Sequence, residues 1–199
     1  MTWVKLCGMT RRADVEAAAE LGADAVGFNV AAESPRRVSP EQAAELGRDL
    51  AVERFLVSVD LEPQDLVAAA RRAEVTGVQP HGRHASAAAE AAFSVGLRVL
   101  YPVRVADQLD LSRVPGWAVP ILDTAVPGRH GGTGRSFDWT LAAGCGRDVV
   151  IAGGLTPENL SDAMAAAEPW GVDTASGIEV SPGVKDPAKM RRFLEATRW

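Results

Sequence analysis

Eight short apolar or β-branched runs punctuate this chain, at Val4–Cys7, Ala25–Val30, Phe55–Asp60, Gly77–His81, Arg98–Val103, Ala118–Asp123, Val149–Ala152 and Val172–Ala175. Between most of them lie Ala-, Glu- and Arg-rich stretches whose apolar residues recur at helical spacing. Crossovers of that length permit parallel pairing of consecutive strands. An open doubly wound sheet usually has roughly five to seven strands, whereas eight strand–helix units fit a closed barrel. The expectation is therefore an α/β chain folded as a (β/α)8 TIM barrel, a single domain over residues 1–199 at the short end of the size range for that architecture. Two connections are irregular. Only about a dozen residues, "VADQLDLSRVPGW", part the fifth and sixth runs, so the fifth helix should be short or missing. The sixth and seventh runs are farther apart and imply extra loop.

Helix punctuation supports the division. In "RRADVEAAAELG" the residues Val15, Ala18, Ala19 and Leu21 form an apolar stripe and Gly22 a stop. "SPEQ" supplies Ser39 as N-cap, Pro40 at the first helical position and Gln42 as capping-box partner. "TPEN" supplies Thr156 and Pro157 in the same roles. The balance of 21 basic against 26 acidic residues, with no long basic block, argues against a nucleic-acid partner. The five tryptophans are scattered and make no base-stacking array. No apolar stretch approaches the roughly 20 residues of a membrane span, and the N-terminal residues lack a signal-peptide pattern. Cys7 and Cys145 suggest neither a disulfide framework nor a metal site. A cytoplasmic protein with no metal, no cofactor and no membrane association is expected, as a monomer or a homodimer.

In such barrels the chemistry gathers where strands end. The first strand ends at Cys7, and the loop after the second carries Arg36 and Arg37. The fourth ends in "VQPHG", which brings His81 to the rim as a lining residue or a hydrogen-bonded structural one. In "PILDT", Ile121 and Asp123 share a face, so Asp123 should point to the mouth. "AGGLTP" and "ASG" end the last two strands, and glycines there let backbone N–H groups approach an anion. "GGLTPEN" and "SGIEVSPGVKD" suit a phosphate site, with Ser176 as hydroxyl donor and Lys185 as a further contributor. A thiol and a carboxyl at different strand ends suit a proton acceptor and a proton donor. Lys5 shares the face of Cys7 and would either lower the thiol's pKa or pair with a carboxylate such as Asp173.

The ordered motifs "KLCGMT", "GADAVGF", "SPRRVSP", "VQPHG", "ILDT…GGTGRSFDW", "AGGLTPEN" and "VD…SG…SPGVKD" resemble the phosphoribosylanthranilate isomerases across essentially the whole chain. The resemblance implies an intramolecular oxidoreductase of tryptophan (aromatic amino acid) biosynthesis. Its reaction would be the Amadori rearrangement of N-(5′-phosphoribosyl)anthranilate to 1-(2-carboxyphenylamino)-1-deoxyribulose 5-phosphate, with no metal or cofactor. It further implies Cys7 as general base and Asp123 as general acid. Arg36 would hold the anthranilate carboxylate, and Gly153, Gly154, Ser176 and Gly177 would bind phosphate. Gly8 would clear space beside Cys7.

The chain departs from the family pattern at Ser58, Pro80 and Ala175. Those departures leave two other readings: a paralogue isomerising another phosphoribosyl amine, and a non-catalytic phosphosugar-binding protein. Cys145 reads as structural, Arg37 as solvated, Asp138 as a helix cap, and His84 and His130 as loop residues. "GGTG" would permit movement of the loop over residues 125–139.

Overall fold

The computed structural model describes residues 1–124 and 137–197. His130 and the "GGTG" stretch lie outside the described residues, as does most of the 125–139 loop. Eight parallel strands close a barrel in sequential order: β1 (Trp3–Cys7), β2 (Ala25–Asn29), β3 (Glu53–Val59), β4 (Gly77–His81), β5 (Arg98–Val105), β6 (Val119–Thr124), β7 (Val150–Ile151) and β8 (Gly171–Thr174). Closure is made by β8 against β1, with Lys5 opposite Asp173. Six helices cover the barrel among the described residues: α1 (Arg12–Glu20), α2 (Pro40–Gly47), α3 (Pro63–Arg72), α4 (Ala85–Ser94), α5 (Leu160–Ala167) and α6 (Pro187–Ala196).

Most expected signals hold. Ser39 Oγ accepts from the Gln42 N–H at 3.1 Å, and Gln42 Oε1 accepts from the Ser39 N–H at 2.7 Å, a reciprocal capping box opening α2. No helix joins β5 to β6; an Asx turn, in which Asp110 Oδ1 accepts from the Ser112 N–H at 2.9 Å, and Pro115 keep that short connection irregular. Asp138 caps a 3-10 turn at Trp139–Ala142 by accepting from the Thr140 N–H. The start of α5 differs from the "TPEN" reading. Thr156 Oγ1 accepts from the Glu158 N–H at 3.3 Å within a turn, and the helix begins only at Leu160. Asn159 causes the delay: its side chain accepts from the Thr156 N–H and donates to the Gly154 carbonyl, holding the loop before the helix.

Alternation along the strands sorts side chains into two cores. Outward residues such as Leu6, Phe28, Leu56 and Leu122 pack beneath the helices. Inward residues Ala25, Phe55, Leu100, Ile121 and Val150 fill the barrel, with Trp3 and Trp170 against them. Trp3 stacks on Trp170 at 5.2 Å between ring centroids and meets Phe55 edge-on at 5.9 Å. Two of the scattered tryptophans thus form the barrel floor, leaving the opposite end for polar groups.

Pro80 explains a gap in the ladder. The Arg98 N–H donates to the Thr76 carbonyl, and the Asp60 N–H to that of His81. In a parallel strand alternate residues face alternate neighbours, so the N–H that Pro80 lacks would face β5. Pro102 lies on the facing edge of β5 by the same count. Pairing of β4 with β5 accordingly stops at Val78 opposite Val99, while β3 and β4 stay paired through Val59 and His81.

Candidate active site

A cavity of about 610 Å³ opens at the C-terminal ends of the strands. Its walls include Cys7, Arg36, His81, Asp123, Gly153, Gly154 and Ser176, so nearly all the residues expected at the mouth meet there. Gly177 follows Ser176 in a 3-10 turn, and a Cβ at Gly177 would stand 2.0 Å from the Leu155 carbonyl oxygen. The two glycine loops therefore touch backbone to backbone, which only a residue without a side chain allows. Ser58 and Pro80 are buried on the outer side of their strands, away from this cavity, whereas Ala175 lines it.

Beneath the mouth lies a polar layer. The Lys5 ammonium is fully buried and donates to Asp173 Oδ1 and to Gln79 Oε1, both at 2.9 Å. Gln79 Nε2 in turn lies 3.0 Å from His81 Nε2. Burial pulls Lys5 down, but Asp173 and Cys7 together more than offset it and the ammonium keeps its proton beyond the usual range. Both readings of Lys5 therefore hold in part: it pairs with Asp173 and also draws the Cys7 thiol down. The expected net effect on Cys7 is corrected, however. Burial dominates and, aided by Asp173, pushes the thiol up despite Lys5 and Lys185. Asp123 is also raised, chiefly by burial, against a 2.8 Å hydrogen bond from the Thr124 N–H.

Glycines place these groups, at Gly8 and at a second position that the sequence reading did not single out. Gly8 has φ +77°, and a Cβ there would lie 2.5 Å from Arg36 Cδ, so it clears space for Arg36. Room for the thiol comes from Gly27, where a Cβ would lie 2.6 Å from Cys7 Sγ. The signal was available in "GADAVGF", where a glycine interrupts a strand.

Arg36 is not a free guanidinium. Its Nε and Nη2 donate to the two carboxylate oxygens of Glu179 at 2.8 and 2.7 Å. Lys185, expected at the phosphate, is buried and does not line the cavity. Its Nζ donates to the Cys7 carbonyl at 2.5 Å, the Ala175 carbonyl at 3.0 Å and Glu179 Oε1 at 2.9 Å. Three carbonyl and carboxylate acceptors use every proton of the ammonium, leaving none for an anion. Sequence reasoning missed Glu179 and Gln79. Gln79 shares the inward face with His81, and Glu179 is a lone acid between apolar residues in "GIEV".

Arg37 and Cys145 behave as expected. Arg37 is exposed, and Cys145 donates through Sγ to the Arg147 carbonyl at 3.4 Å.

Comparison with known proteins bears on what such a mouth does. The family described as N-(5'phosphoribosyl)anthranilate (PRA) isomerase matches residues 4–196. An N-(5'-phosphoribosyl)anthranilate isomerase of Pelobacter propionicus is 37% identical over 203 residues, covering 100% of this chain and 96% of that protein. The crystal structure of the phosphoribosyl anthranilate isomerase of Thermus thermophilus superposes with a TM-score of 0.89 at 32% identity, covering 98% of each chain. Another phosphoribosyl anthranilate isomerase, in complex with reduced 1-(o-carboxyphenylamino)-1-deoxyribulose 5-phosphate, has a TM-score of 0.86 at 32% identity, covering 100% of this chain and 99% of the other.

Proposed function

The chain belongs to the N-(5′-phosphoribosyl)anthranilate isomerase family, and from that premise we propose how its own residues divide the reaction. It is an isomerase of tryptophan biosynthesis that acts on a small phosphorylated substrate. In our reading Asp123 gives its proton to the furanose ring oxygen, the bond from that oxygen to C1′ breaks, and the anilino nitrogen lone pair forms a Schiff base. The Cys7 thiolate then removes the C2′ proton. The electron pair of that C–H bond becomes the C1′=C2′ bond of an enolamine as the C1′=N pair returns to nitrogen, and tautomerisation to the ketone adds a proton at C1′ while the C2′ hydroxyl gives one up. No atom is gained or lost overall, as an isomerisation requires.

Arg36 receives the aromatic carboxylate, a planar anion that suits a guanidinium fork. Backbone N–H groups at Gly153, Gly154 and Gly177, with the Ser176 hydroxyl, take the phosphate. His81 lines the sugar end of the cavity. We further read residues 1–199 as one cytoplasmic barrel domain, acting as a monomer or a homodimer with no nucleic-acid or membrane partner. Among the described residues, no helix is long and apolar enough to cross a membrane.

One observation carries the reading: Cys7 and Asp123, on strands three steps apart around the barrel, line the same cavity as Arg36 and the two glycine loops. The test is the fluorescence decay of phosphoribosylanthranilate generated in situ. Cys7→Ser and Asp123→Asn should each lose at least about a hundredfold in turnover, the size expected for a general base or acid. Near-wild-type turnover in either variant would remove that residue from its role.

A further inference from the structure

Arg36 reaches the cavity over a buried polar cluster to which the reaction assigns nothing. Glu179 opens a small hairpin of β9 (Glu179–Ser181) and β10 (Val184–Lys185) that follows the phosphate-side turn. It is only 7% exposed, yet its carboxylate is fully satisfied. Oε2 accepts from Arg36 Nη2. Oε1 accepts from Arg36 Nε at 2.8 Å, Lys185 Nζ at 2.9 Å and the Gly183 N–H at 3.2 Å. Lys185 also holds the carbonyls of Cys7 and Ala175. Lys189 donates to the Glu179 carbonyl at 2.8 Å, and the Lys185 N–H donates to Asp14 Oδ2 at 3.2 Å.

We propose that Glu179 is a positioning residue for this isomerase, holding Arg36 so that its remaining edge meets the substrate's aromatic carboxylate, with Lys185 anchoring Glu179 to the strand end that carries Cys7. The inference rests on the carboxylate-binding reading of Arg36. An arginine has two hydrogen-bonding edges. Glu179 takes the Nε–Nη2 edge, which turns the Nη1–Nη2 edge toward a second planar anion. Gly8 lets the aliphatic stem of Arg36 lie against the main chain, so the guanidinium is fixed from both ends.

Charge supports the assignment. Two cations and one carboxylate leave the cluster one unit positive, enough to attract an anion. Without the carboxylate, Arg36 and Lys185 would face each other as like charges under poor solvation. A single lysine ties together the base-bearing strand end, the phosphate-side loop and the support of the carboxylate clamp. Distances among the three parts of the substrate would then be set by one buried side chain.

The test compares binding of reduced 1-(o-carboxyphenylamino)-1-deoxyribulose 5-phosphate with its counterpart lacking the carboxyl group, by calorimetry on the full chain. Glu179→Gln should lose at least about tenfold of the preference for the carboxylated compound, while affinity for the other stays within about threefold. In turnover the same variant should raise KM with kcat nearly unchanged, a split that general loosening of the barrel would not produce. Arg36→Lys should lose the same preference, and the double variant no more than Arg36→Lys alone. Glu179→Asp keeps the buried charge, and so the fold, but draws the acceptor back by one methylene; it too should lose most of the preference. Retained preference in both Glu179 variants, with loss in Arg36→Lys, would overturn the positioning role and leave the Arg36 reading standing. Retained preference in Arg36→Lys would instead overturn the Arg36 reading itself.

Discussion

Cys7 and Asp123 are displaced in the same direction, and this gives the reaction a particular pH dependence. Burial raises both, so the carboxyl still loses its proton well before the thiol does. The mechanism we propose needs the opposite arrangement, thiolate with carboxylic acid, which is a minor form at every pH. Below the Asp123 pKa, each unit of acidity removes thiolate tenfold while the carboxyl is already protonated. Between the two pKa values the productive fraction is constant, and above the Cys7 pKa the remaining acid is stripped. The acid limb of the profile therefore belongs to Asp123 and the alkaline limb to Cys7, although their roles suggest the reverse. Alkylation of Cys7 as a function of pH, in a Cys145→Ser background, should titrate with the alkaline limb. Titration with the acid limb would refute the assignment. Gly27→Ala supplies a steric counterpart. Its Cβ would press on Sγ, and turnover should fall roughly 10- to 100-fold as the thiol is displaced, with stability down by about 1–3 kcal/mol. Cys7 and Asp123 were legible from their places at strand ends, and the direction of Asp123 from strand alternation. The sign of the thiol shift was not, because it depends on how desolvation balances against Lys5, Lys185 and Asp173, three charges remote from Cys7 in sequence or below it in the barrel. Glu179 was hidden for the same reason.

Among the elements, strands were read closely because each is a short apolar run between turn residues. β7 is shorter than "VVIA" suggests, at Val150–Ile151, since only those residues find partners on both sides. The start of α5 was misread because Thr156 and Asn159 are both plausible caps, and the contact from Asn159 to Gly154 that favours the later start is a loop contact. Two substitutions test what the elements contribute. Ser39→Ala removes one half of the capping box on α2 and should cost about 1 kcal/mol in urea unfolding with turnover unchanged. Pro80→Leu should leave kcat/KM within about twofold of wild type, because the side chain lies on the outer face. In stability the regained ladder bond, about 1 kcal/mol, is offset by the freedom returned to the unfolded chain, about 0.4–1 kcal/mol. A large change in kcat/KM would mean that the break between β4 and β5 shapes the cavity.

At the scale of the molecule, the eightfold alternation made the barrel legible, but closure is a property of distant residues. Lys5 and Asp173 stand 168 positions apart, Thr10 and Gly183 173, and Cys7 and Lys185 178. Contacts of such separation carry a high loop-closure cost and form late in folding. A brief pulse of alkylating agent during refolding should therefore label Cys7 until the final phase, and protection should arrive together with the native signal of Trp3 and Trp170. Protection in an early phase would mean that the first strands enclose the thiol on their own. The Lys185 tie carries this further. Synthesis on the ribosome runs from the N-terminal side, so Cys7 is made 178 residues before Lys185, the cation that anchors its strand end. Until the eighth strand–helix unit has been made, that strand end lacks its tie, and an electrophile can meet the thiol before the barrel closes around it.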